Sequence, residues 1–191
     1  MKIIFTIPLI GCLFLYSCSD EEITIPKPST YLYSKFNEHN FSEINSNCPY
    51  SFEISSHFKL QNVYYGKEIT CHKDIDLGKL NGTIHFSYIE MNKPVSEYIN
   101  FSIDKVDEHK IKATAIEDSK IIRTKDKVYG TLFEIQGDVA SPYQFYLTDS
   151  TKHFVSGVLY LNSKPNYDSL KPTLDYLKFE LNHLVQTFKW K

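Results

Sequence analysis

The chain has 191 residues, 42% hydrophobic, 23% charged and 15% aromatic, with a formal net charge of −2. This aromatic content excludes a disordered chain, and only seven glycines exclude collagen-like and Gly-rich low-complexity classes. Basic and acidic residues nearly balance, so nucleic acid is not an expected partner. Arg123 is the only arginine; every other basic residue is lysine.

Residues 1–17 read as a lipoprotein signal peptide. Lys2 supplies the positive start, and Ile3 to Tyr16 is nearly continuous apolar sequence. That run is short for a membrane span and has the length of a signal h-region. It ends in Leu15-Tyr16-Ser17-Cys18, a lipobox, so Cys18 is the expected site of lipidation and membrane lipid the expected partner. Leu9-Ile10-Gly11-Cys12 is a competing lipobox with a shorter h-region, and an uncleaved signal anchor is the third reading. Residues 18–30 form a tether: the acidic cluster Ser19-Asp20-Glu21-Glu22, then Pro26 and Pro28, which favour extended chain. No Asp follows Cys18 directly, so the expected location is the outer membrane, on the periplasmic face, with the cell surface as the alternative.

Residues 31–191 are read as one α+β domain. Short alternating stretches predict strands at 51–56 and 58–65. A half-buried strand follows at 83–90, with Ile84, Phe86 and Tyr88 on one face. From Val95 to about Ile116 the spacing of Val95, Ile99, Val106 and Ala113 predicts an amphipathic helix. Strands are then expected at 120–124 and 128–136, joined by a Lys125-Asp126-Lys127 turn. A further hairpin pairs 144–148 with 154–161 through Asp149-Ser150-Thr151-Lys152. Leu170, Leu174, Leu177, Leu181, Leu184 and Phe188 form one apolar stripe, predicting a terminal helix capped by Asp168 or Ser169 with Pro172 in its first turn. Consecutive hairpins imply a mostly antiparallel sheet packed with two helices, the longer one C-terminal. The order is similar to the small photosystem-associated and Mog1-like sandwich folds.

The two remaining cysteines, Cys48 and Cys71, are expected to form a disulfide in an oxidising compartment, contributing about 3.5 kcal/mol on a chain-entropy model. A free or reactive thiol and a metal site are the alternatives. The seven histidines are scattered, none three or four residues from another, so no metal site is expected. No hydrolase elbow, phosphate-binding loop, dinucleotide fingerprint or zinc-protease motif occurs, and no cofactor is expected. Ser141, His153 and Asp149 are the residues from which a triad would be assembled. The stretch Gly137, Asp138, Ala140, Ser141, Gln144 and Phe145 is a candidate partner-binding loop. Asp149-Ser150-Thr151 and Asp168-Ser169-Leu170 fit an acceptor pattern for periplasmic O-glycosylation at Ser150 and Ser169.

Several ordered segments together carry a resemblance. They are Cys48-Pro49-Tyr50-Ser51-Phe52, Val128-Tyr129-Gly130, Gln144-Phe145-Tyr146-Leu147-Thr148-Asp149-Ser150, Lys164-Pro165-Asn166-Tyr167-Asp168-Ser169 and the terminal Thr187-Phe188-Lys189-Trp190-Lys191. With Pro26-Lys27-Pro28 ahead of them, they resemble the gliding-motility lipoprotein GldD family of Bacteroidetes. The resemblance implies a lipid-anchored, non-enzymatic component needed for gliding and type IX protein secretion, supporting other envelope proteins of that machinery. It carries no catalytic residue to this chain. A ligand- or glycan-binding lipoprotein is the alternative, and a small periplasmic hydrolase a weaker one.

Overall fold

A computed structural model describes residues 36–44 and 46–191. The signal peptide, Cys18 and the tether lie outside the described residues. Two sheets and two helices are present. The larger sheet has seven antiparallel strands in the order β3 (Lys59–Tyr65), β4 (Glu68–Asp76), β5 (Gly82–Glu90), β9 (His153–Leu161), β8 (Tyr143–Thr148), β7 (Val128–Gly137) and β6 (Ala113–Arg123). The smaller sheet sets β2 (Tyr50–Ser55) between β1 (Phe41–Ile44) and β10 (Lys189–Trp190). Helix α1 (Val95–Asp107) covers part of one face of the large sheet, and the longer α2 (Tyr167–Thr187) lies on the other face together with β2. The α+β class and the long C-terminal helix are as the periodicity predicts.

Strand alternation sorts the apolar residues into two cores. On β8, Tyr143, Phe145 and Leu147 meet α2, while Tyr146 points to α1. The α2 core takes Leu174, Leu177, Leu181, Leu184 and Phe188 of the predicted stripe, with Tyr50 and Phe52 of β2 and Phe86 of β5. The α1 core is smaller: Val106, Phe133, Ile135, Val139, Tyr146 and Phe154.

Besides the short β1 and β10, which the sequence does not announce, four elements differ from expectation. The helix predicted to reach Ile116 ends at Asp107; a 3-10 turn over Glu108–Ile111 follows, and β6 starts at Ala113. That strand lies at the sheet edge with both faces largely exposed, so its sequence shows no clean period of two. β4 escaped detection because its inward position is held by a buried lysine, Lys73. The cap of α2 is Asn166, whose side chain accepts the Ser169 N–H at 3.1 Å, rather than Asp168 or Ser169. Pro172 consequently falls in the second turn, where its missing N–H faces the carbonyl of exposed Asp168.

Among the described residues no helix is long and apolar enough to cross a membrane.

Candidate functional site

The strands run so that one end of the large sheet gathers the β3–β4, β6–β7 and β8–β9 turns, together with the C-terminus. At this end an open hollow of ≈ 440 Å³ is lined by Lys125, Asp126, Lys127, Asp149, His153, Lys189, Trp190 and Lys191. The β6–β7 connection is a 3-10 turn, Thr124–Asp126, closed by Lys127 in the left-handed region at φ 52°. Trp190 reaches it from β10 and donates its indole N–H to the Lys127 carbonyl at 3.1 Å. The His153 ring stacks 5.4 Å from Trp190, and its Nδ1 lies 2.8 Å from the Tyr88 hydroxyl.

The charges in the hollow do not cancel. The Asp149 carboxylate accepts the N–H groups of Thr151, Lys152 and His153 at 2.8–2.9 Å. Partial burial pushes its pKa up, but those bonds and one from the Thr151 hydroxyl outweigh it and hold the group below its ordinary value. Asp126 lies 3.6 Å from Arg123. Lys125, Lys127, Lys189 and Lys191 form no ion pair among the described residues. Four lysines therefore border the hollow with two carboxylates that have other partners. The Lys191 ammonium also donates to the Ser46 carbonyl at 2.6 Å, and Lys189, which alternates with Trp190 along β10, also borders a second hollow with Glu43 and Glu53.

Beside the hollow, the β3–β4 hairpin leaves the sheet. β4 pairs with β5 only from Lys73 opposite Phe86 to Asp76 opposite Thr83, whereas β5 stays paired with β9 up to Glu90 opposite His153. At the fork, His72 Nδ1 accepts the Tyr88 N–H at 3.2 Å, in place of a strand carbonyl. The next residue outward, Cys71, turns to the small sheet. It forms the disulfide with Cys48 at a Cα–Cα distance of 5.5 Å, and its carbonyl accepts the Tyr50 hydroxyl at 2.6 Å. Lys73 braces the base, donating to Asn62 Oδ1 at 2.9 Å and to the Thr70 carbonyl at 3.1 Å; burial lowers its pKa. Beyond this base stand Tyr64, Tyr65 and Ile69, exposed by 59%, 84% and 60%. The hollow is linked to the base of the arm by the Lys191 N–H, which donates to the carbonyl of Pro49, the neighbour of Cys48.

The residues singled out from sequence are placed differently from one another. Ser141 and Asp149 flank the six-residue β8 at opposite ends, with roughly 20 Å of strand between them, so no triad with His153 is assembled. Of the candidate loop, Ser141, Gln144 and Phe145 are buried, and only Asp138 and Ala140 are fully exposed. Gly137 sits at φ 117°, a turn into the loop that favours glycine. Asp138 accepts the N–H of Tyr167 at the start of α2 at 2.9 Å. Gln144 borders a notch of ≈ 70 Å³ between α1 and the sheet. Ser150 and Ser169 are both exposed. Among the described residues no cluster of His, Cys, Asp or Glu could hold a metal.

Sequence reasoning missed the lysine hollow and the aromatic arm. Lys125-Asp126-Lys127 reads from sequence only as a hairpin turn; its meeting with Lys189-Trp190-Lys191 depends on β10 pairing with β2, contacts 138 residues apart at Ser51 and 140 apart at Tyr50.

No curated protein matches the chain. Among solved structures it is similar to the cyanobacterial PsbP (CyanoP) of Synechocystis sp. PCC 6803. That likeness covers 84% of this chain and 98% of that one at 10% identity, with a TM-score of 0.46. A family model described as gliding motility lipoprotein GldD matches residues 21–190. With residues 21–190 of the 191 within that match, the chain belongs to the gliding motility lipoprotein GldD family.

Proposed function

We propose that this protein is held in the cell envelope through lipid on Cys18 and is required for both gliding motility and type IX protein secretion. It acts as a non-catalytic assembly or stability factor for other envelope proteins of that machinery. The family match over residues 21–190 carries this reading. Two further features support it. The sequence keeps a lipobox cysteine just ahead of the matched region, and the domain presents a braced, exposed arm. The outer membrane is the proposed location, since no Asp follows Cys18.

Deleting the gene and measuring colony spreading and secretion of type IX cargo tests the function. Both are expected to fail and to be restored by the wild-type gene, but not by Cys18→Ala. Normal spreading and normal secretion in the deletion strain would overturn the reading. Intact mass of the envelope-purified protein also tests the acyl groups and the proposed glycans on Ser150 and Ser169. The Asn166 cap leaves the Ser169 hydroxyl free for such a modification.

A further inference from the structure

We propose that the turn end of the sheet is a membrane-docking face that lies against an anionic bilayer surface. It rests on the Cys18 anchoring above and adds an orientation to it. The observations are an asymmetry between the two ends of the domain. At the turn end, Tyr64, Tyr65, Ile69 and Ile122 are exposed, and Trp190 is half-buried. At the opposite end, among the described residues, the exposed large hydrophobics are Ile111, in the connection after α1, and Tyr160, near the end of β9. Tyrosine and tryptophan combine an apolar ring with a polar tip, the chemistry that settles at a membrane–water boundary.

Charge points to the same occupant. Lys125, Lys127, Lys189 and Lys191 border the hollow from two segments beside Trp190, with Lys191 also donating to the Ser46 carbonyl. Lysines near an anionic leaflet each favour contact, and lipid phosphates fit a concavity of ammonium groups better than a neutral protein surface does. Lys67 stands at the tip of the arm, between Tyr65 and Ile69, next to the exposed Glu68. Its aliphatic stem can lie along apolar surface while its ammonium stays at headgroup level.

Reach permits the contact. Seventeen residues separate Cys18 from Phe36, and extended chain spans at most about 60 Å over that length. The strands are about 30 Å long, so either end of the domain can meet the bilayer that holds the lipid. A second contact would stop the domain from swinging on its tether.

Trp190 is the only tryptophan, so its fluorescence reports the hollow without a label. The full chain, purified from envelopes and checked for acylation by intact mass, is inserted into phosphatidylcholine vesicles with or without phosphatidylglycerol. Both vesicles contain lipid brominated near the headgroup. Bromine is expected to quench Trp190 in the anionic vesicles and not in the neutral ones. The quenching is expected to fall several-fold in about 1 M salt, where screening shortens to about 3 Å. The double variant Lys125→Gln, Lys189→Gln should lose it several-fold with an unchanged melting temperature. Moving the reporter to the arm, with Tyr65→Trp in a Trp190→Phe background, should show the same dependence on anionic lipid.

An acylated chain whose Trp190 stays unquenched in anionic vesicles overturns the inference and leaves the anchoring intact. A chain without acyl groups overturns the anchoring instead, so the two failures are distinguished. Equal quenching in both vesicles overturns recognition of anionic lipid. An emission change produced by inorganic phosphate, without quenching by vesicles, assigns the hollow to a soluble anion and also overturns the inference.

Discussion

Arg123 donates from its guanidinium to the backbone carbonyl of Phe188, and its other terminal nitrogen donates to the carbonyl of Gln186. The single arginine of the chain thus closes the end of α2, where no intrahelical N–H remains and the helix dipole is negative. It also joins the outermost strand of the large sheet to the segment that becomes β10. A planar fork suits two carbonyls in a way that an ammonium does not. Arg123→Lys is therefore expected to lower stability by about 1–2 kcal/mol. Urea unfolding at neutral pH measures it, and an unchanged midpoint would show that the fork is not needed.

The Cys48–Cys71 bridge spans 23 residues and ties the segment before β2 to the departing part of β4. Removing it with Cys48→Ser and Cys71→Ser should cost about 3.5 kcal/mol by loop-closure entropy. Tyr50→Phe, which removes the bond to the Cys71 carbonyl, should cost about 1 kcal/mol on its own. Because both act on the same point, the triple variant should lose less than the sum. A strictly additive result in a denaturant series would separate the two contacts.

Phe145 lies across the ladder from Gly157, and its ring fills the space where a side chain would stand. A Cβ on Gly157 would come within 2.1 Å of that ring. Phe145 is buried against the α2 core, so it has little room to yield. Gly157→Ala is expected to destabilise by about 1–3 kcal/mol through overpacking. Pairing it with Phe145→Leu should recover part of that loss, and thermal melts of the two variants test the steric cause.

Asp149 gives the fold an acid-sensitive turn. Its folded pKa is depressed below the ordinary 3.8, with burial opposed and outweighed by the hydrogen bonds it accepts. The sign follows from linkage: the stabilisation is present above about pH 4 and is lost as pH falls through the lower folded value. Between about pH 5 and pH 2 the wild type should therefore lose more stability than Asp149→Asn. Parallel slopes for the two proteins would show that this carboxylate does not contribute to the acid limb.

Much of the architecture was legible from residue order because the relevant elements bury one face. β5, β7, β9 and α2 all show their period, and their bounds fall within a residue or two of those read from the chain. Only the end of β6 was read, as the strand expected at 120–124; its first part was hidden because an exposed edge strand has no apolar face to repeat. β4 was hidden because Lys73 occupies an inward position, and a lysine there makes sense only once Asn62 and the Thr70 carbonyl are in place. β1 and β10 are too short to leave a pattern.

Residue order by itself determined that this is an aromatic-rich α+β chain with a lipobox, a pair of later cysteines and a long terminal helix. Those features are local: a period, a charge followed by an apolar run, a cysteine count. Only the tertiary structure decided that Ser141 and Asp149 sit at opposite ends of β8, and that the Lys-Asp-Lys turn meets the Lys-Trp-Lys terminus. It also decided that the β3–β4 hairpin leaves the sheet at His72. Each of these depends on which strands pair and where the pairing stops. Strand pairing is set by the burial of whole faces, which no single stretch of sequence contains.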